Sequence, residues 1–206
     1  MRIFHGTNEG VILKMKKIIL ISILSILTVA SIIMPSFALS DRAEDFLKAC
    51  RMYDVPFPPE NWSKDDLRAA AIEVLDEVEA GRMSYWPKSF CLITLGYVKN
   101  PDDLPRILSY EDDMPSTVLR SLKGFSHPDA INFLIKYLDH ERDSRRELAV
   151  MSLAVMDFNK LENPWDWYNK VYNELSAALK REKEDWLRKD IEKAIQNLKK
   201  PAVKNT

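Results

Sequence analysis

The sequence predicts an all-α protein, a short right-handed α-solenoid of helical hairpins preceded by a signal peptide. Three observations carry that expectation. Only 5 of the 206 residues are Gly, with 46% apolar and 30% charged, a balance that favours helices over a turn-rich β protein. Apolar residues recur at helical spacing along most of the chain. Small and apolar marks also return every 28 to 30 residues, as at Cys91, Leu119 and Ala149 and again at Gly96, Gly124 and Ala154. Such a period means stacked units, each too small to bury its own apolar face. The formal net charge of −1 gives no reason to expect nucleic acid as a partner.

The N-terminal segment reads as an address. Lys14, Lys16 and Lys17 precede an apolar run from Ile18 to Met34, and Pro35 breaks that run. Ser36-Phe37-Ala38 then supplies small residues at −3 and −1 of a cleavage site, completing the order of a secretory signal peptide. Cleavage is expected after Ala38, giving an exported protein, periplasmic or secreted. The competing reading is an uncleaved anchor, since the 17-residue run reaches the lower limit of a spanning helix. Membrane contact is expected only in that case. Residues 1–14 fit no part of a signal peptide, and Met15-Lys16-Lys17 is the more natural start. Cleavage removes four basic residues and one acidic one, leaving a net charge of −4 on residues 39–206.

Four segments follow: an extension and signal peptide (1–38), an N-terminal helix and Pro-rich loop (39–62), a repeat domain (63–199) and a frayed tail (200–206). Ser40 caps a first helix over 41–53, which buries Phe46, Leu47 and Cys50. "VPFPPENW" (55–62) is a rigid loop, because prolines fix φ and remove donors. Ser63 and Asp66 form a capping box at the start of a helix over 64–80, which Gly81 ends. Helices over 101–111, 128–140 and 164–180 then alternate with helices over 86–98, 115–125, 142–156 and 185–199. Another echo is Asp143-x-x-Arg146-x-x-Ala149-x-x-Ser152-Leu153, which returns as Asp185-x-x-Arg188-x-x-Ile191-x-x-Ala194-Ile195.

This pattern, followed by a turn and Asn/His-Pro-Asp, resembles the HEAT-like repeats of the phycobilisome-lyase type over residues 64–199. The first two units depart from it, with Lys88 and Ser116 where the family has Arg. The resemblance implies a scaffold and fixes no chemistry. It leaves open an enzyme or enzyme accessory of the HEAT-like lyase type, since some such repeats belong to lyases acting on chromophore-bearing proteins.

His127-Pro128-Asp129 matches the tripeptide of the J-domain, a co-chaperone module. Asn100-Pro101-Asp102 and Asn163-Pro164-Trp165-Asp166 open helices in the same way. Pro suits the first helical position, and Asp in the first turn meets the positive end of the helix dipole. The tripeptide is thus expected to start a helix, and a J-domain-like role is the minor alternative.

No catalytic motif is visible. His127 and His140 are the only histidines after residue 38, without a partner at ligand spacing. No catalytic residue, cofactor site or metal site is expected. Cys50 and Cys91 admit two readings, a disulfide in an exported protein or two buried thiols in apolar helices. The aromatic stretch 163–172 places Trp165, Tyr168 and Tyr172 on one stripe read as core, with Trp167 off it and a candidate contact residue. The first helix of each pair sums to −7 and the second to +5. The second helices are expected to line the concave face, where Lys88, Arg120, Arg145 and Lys189 would attract an acidic segment of another protein. The competing reading is that both layers are merely solvated. The sequence therefore points to a non-catalytic protein-binding or scaffolding module of the cell envelope.

Overall fold

Several helical segments begin where a side chain accepts one of their first N–H groups, as at Ser40, Ser63, Asn100 and His127. The computed structural model describes residues 38–51 and 61–202. The expected signal peptide, its cleavage and most of the Pro-rich loop lie outside the described residues. Helix α1 (Asp41–Arg51) starts where Ser40 Oγ accepts the Ala43 N–H at 3.2 Å. Acidic residues occupy its first turn and Lys48 and Arg51 its last, both favourable to the helix dipole. It buries Ala43, Phe46, Leu47 and Ala49 and packs on α2 (Lys64–Glu79).

The capping box of α2 has both halves. The Asp66 N–H donates to Ser63 Oγ at 3.1 Å, and the Ser63 N–H donates to Asp66 Oδ2 at 3.0 Å. Gly81, at φ +70°, ends the helix as expected. Helix α3 (Lys88–Val98) packs back along α2.

The chain then continues as α4 (Leu104–Leu108), α5 (Pro115–Ser121), α6 (Pro128–Lys136), α7 (Asp143–Leu153), α8 (Pro164–Arg181) and α9 (Asp185–Asn197). No strand occurs among the described residues. The helix expected over 101–111 is split into a 3-10 turn, Pro101–Asp103, and α4. Pro105 is the reason: it has no N–H for a continuous α-helix, but it is tolerated in the first turn of a new one.

The three Pro starts are not alike. Asn100 Oδ1 accepts the Asp102 N–H at 3.0 Å, and His127 Nδ1 accepts the Asp129 N–H at 3.2 Å. Asn163 instead sits in the left-handed region at φ 51° and makes no side-chain cap. The His-Pro-Asp tripeptide therefore opens α6, with its imidazole committed to the cap.

Two kinds of joint hold successive pairs together. The helices α3, α5, α7 and α9 pack one on the next, and at the first two steps small residues bring backbones into contact. A Cβ added at Gly96 would lie 2.0 Å from the Ser121 carbonyl oxygen. Ser152 Oγ donates to the Leu119 carbonyl at 2.9 Å, and the Gly124 N–H donates to the Ser152 carbonyl at 3.4 Å. The first helices are joined by charge. Arg106 reaches back to Asp76 and Glu79, Lys136 to Glu111, and Arg181 to Asp139. Between the layers lies a continuous core that includes Phe46, Leu75, Leu92, Ile107, Leu122, Ile131, Leu153 and Leu175.

Candidate functional site

Some of the acids that make the first helices negative are held in these joints. Beyond the three links above, Asp103 is held by Arg68 through two hydrogen bonds of 2.7 Å. The cations of the second helices differ among themselves, and the five expected contact residues have separate fates.

Lys88 is not available. Its side chain is only 13% exposed, with Nζ 3.2 Å from Asp113 Oδ2. The ammonium also lies 4.3 Å from the Tyr85 ring centroid and 5.0 Å from that of Tyr110, close enough for cation–π attraction. Tyr85 completes the enclosure by donating its hydroxyl to Asp113 Oδ1 at 2.9 Å. Arg145 is half-buried, its Nη1 lying 2.9 Å from His140 Nε2. Arg120 on α5 and Lys189 on α9 are exposed, and no carboxylate pairs with either among the described residues.

The aromatic expectation holds at Tyr168, which is buried, and is reversed at Trp165, Trp167 and Tyr172. Trp167 is half-buried against the core beneath Lys170, whereas Trp165 and Tyr172 are exposed. The buried stripe of α8 runs through Tyr168, Val171, Leu175 and Ala178. It is rotated toward Trp167 relative to the stripe the aromatics suggested. Trp165, near the start of the helix, rests edge-on against Tyr168 at 5.7 Å.

Cys50 is half-buried and Cys91 buried, and both are free thiols. Burial pushes the Cys50 thiol up to about 12 and raises that of Cys91 as well, with the neighbouring Cys50 adding to the latter. No group of three metal-ligating side chains occurs among the described residues, and no helix among them is long and apolar enough to cross a membrane.

What sequence reasoning missed is apolar exposure on the second helices. Phe90, Ile93 and Tyr97 on α3, and Met151 and Val155 at α7, are all 40% exposed or more. Lys64 Nζ lies over the Tyr97 ring at 5.6 Å. Burial, then the charges of Lys160 and Lys64, hold the Lys99 ammonium below its ordinary value, with Asp157 opposing. Beyond α5 and between α7 and α9 runs a groove of about 360 Å³. Val150 and Ala194 form its floor, Met151 and Val155 its apolar wall, and Lys123, Lys193, Glu147 and Asp190 are its charged rim.

No family model, curated protein or solved structure matches this chain. A functional reading therefore rests on the surface itself. Exposed apolar side chains beside unpaired cations suit the docking of a protein segment better than chemistry on a small substrate.

Proposed function

We propose that this chain is an exported, non-catalytic helical-repeat module that binds or scaffolds another protein in the cell envelope. In this reading the hairpins form a short right-handed solenoid of the HEAT-like type, and the row α3–α5–α7–α9 is its working face. One observation carries the proposal: that row exposes Phe90, Ile93, Tyr97, Met151 and Val155 together with Arg120 and Lys189. Apolar side chains exposed in such numbers beside charge are a cost in water that a partner repays. The lysines before Ile18 and the small residues before Leu39 support export.

The test is affinity capture of tagged residues 39–206 from crosslinked envelope fractions, read by mass spectrometry. One protein should return in near-stoichiometric amount. Arg120→Glu should weaken its capture without lowering the melting temperature, because Arg120 is exposed and unpaired. Recovery of background proteins alone overturns the binding-module reading.

A further inference from the structure

Resting on that reading, we infer that the occupant of the working face is an acidic amphipathic helix of a partner protein, seated across the C-terminal ends of α3, α5 and α7. Contacts connect the strip step by step. Lys64 covers Tyr97, and Tyr97 is followed by Lys99, which ends α3 in the left-handed conformation. The position a Cβ would take on Gly124 lies 3.0 Å from Lys99 Nζ and 3.5 Å from Val155 Cγ2, so Lys99 reaches over Gly124 toward Val155. Val155 and Lys123 then open the groove that Met151 and Lys193 continue.

The charge of this strip is only partly compensated. Lys64, Lys99, Lys123 and Lys193 have no carboxylate partner among the described residues, and Lys160 lies 3.9 Å from Asp157. Glu147 and Asp190 on the groove rim are the opposing charges. Five ammonium groups against three carboxylates favour an acidic occupant. The groove favours a helix. One side runs through Glu147 and Met151 on α7 to Val155 just past its end, and the other through Asp190, Lys193 and Asn197 on α9, each at helical spacing. Such rows take the i, i+3, i+4 ridge of another helix between them. The chain's own N-terminal segment is the wrong occupant by charge, with four basic residues and one acid through residue 38.

The probe is a fluorescein-labelled, end-blocked peptide with Leu and Phe at i, i+3, i+4 and i+7 and Glu on the remaining face, titrated with residues 39–206 and followed by anisotropy. Binding should be saturable and salt-sensitive. A scrambled peptide of the same composition, and one with Lys for Glu, should bind at least about tenfold more weakly. Lys123→Glu/Lys193→Glu should cost about tenfold, whereas Lys180→Glu, a charge reversal on α8, should leave affinity unchanged. Circular dichroism melts verify that each variant folds. Absent binding, equal binding of the scrambled peptide, or no loss in the double variant overturns the inference. Self-association in sedimentation that the double variant abolishes would replace the helix by a second copy of this chain. A partner captured equally by wild type and double variant leaves the binding-module reading standing and removes this strip from it.

Discussion

The Arg146 guanidinium grips the Glu182 carboxylate through two parallel hydrogen bonds, Nε to Oε2 at 2.7 Å and Nη2 to Oε1 at 3.0 Å. Its remaining nitrogen, Nη1, donates to the carbonyls of His140 and Glu141 at 2.9 and 3.1 Å. Arg188, the echo of Arg146, does likewise with the carbonyls of Leu179 and Glu182 at 3.0 and 3.2 Å. The repeated arginine thus closes the turn before its own helix by satisfying carbonyls left open at the end of the preceding one. Only Arg146 also reaches forward, to the turn of the next pair.

That pair is largely withdrawn from water, with Glu182 6% and Arg146 17% exposed. Burial raises the Glu182 carboxyl, but the Arg146 hydrogen bond, backed by the Glu184 and Lys183 N–H groups, outweighs it and holds the group below its ordinary value. Arg146→Met leaves a buried carboxylate unpaired and should cost about 3 kcal/mol in urea unfolding. Arg146→Met with Glu182→Met should recover most of that loss, since apolar replacement of both partners removes the orphan charge. A double variant as unstable as the single would show that the carbonyl bonds, not the ion pair, matter.

Gly96 gives a second prediction. In a helix interior Ala is better than Gly by about 1 kcal/mol, so Gly96→Ala would stabilise α3 if propensity decided. The added Cβ, however, meets the Ser121 backbone at 2.0 Å. Separating α3 from α5 should cost about 2 kcal/mol net. An unchanged or raised urea midpoint would mean that the two helices move apart freely.

How much of this was legible in the sequence depended on whether the signal was local. The Ser63–Asp66 box, the Pro starts at Asn100 and His127 and the stop at Gly81 concern residues within a few positions of each other, and the structure has them. The spacing of Gly96 and Gly124 was visible, and the close approach at Gly96 gives it a physical cause. Lys88 was misjudged because Asp113 and Tyr110, which hold it, are distant in sequence. The exposure of Phe90, Ile93 and Tyr97 was invisible because α3, "KSFCLITLGYV", is apolar on nearly every face. Such a helix reads as wholly buried, and only its neighbours decide which side stays open.

A third prediction concerns pH. His140 stacks on Tyr137 at 5.2 Å, and its ring nitrogens both face donors, Nδ1 the Arg142 N–H at 3.0 Å and Nε2 the Arg145 guanidinium at 2.9 Å. A neutral imidazole has one lone pair to offer these two donors, and a protonated one has none. Burial, then Arg145, with Arg142 and Arg146 assisting and Glu141 opposing, lowers the group below its ordinary 6.5. A lowered base means that the unfolded chain binds the proton more readily. This contribution is therefore complete at high pH and is lost as pH falls from about 6.5 toward the folded value. The urea midpoint should drop between about pH 7 and pH 5 in wild type and less in His140→Gln. Equal slopes in the two proteins would exclude His140 as the source.

The last prediction concerns the thiols. The thiolate is the reactive form, and burial opposes it at both cysteines, with Cys50 raised to about 12. Folded protein at about pH 8 should leave Ellman's reagent almost uncoloured, and guanidinium should release both thiols at once. Intact mass after alkylation in guanidinium without reductant should show two modified cysteines. Rapid reaction of the folded protein would mean that α1 detaches readily enough to uncover Cys50. A mass lacking both adducts would mean that Cys50 and Cys91 are bridged, the pairing an exported chain with two cysteines permits, and the free-thiol arrangement would then be the reduced form.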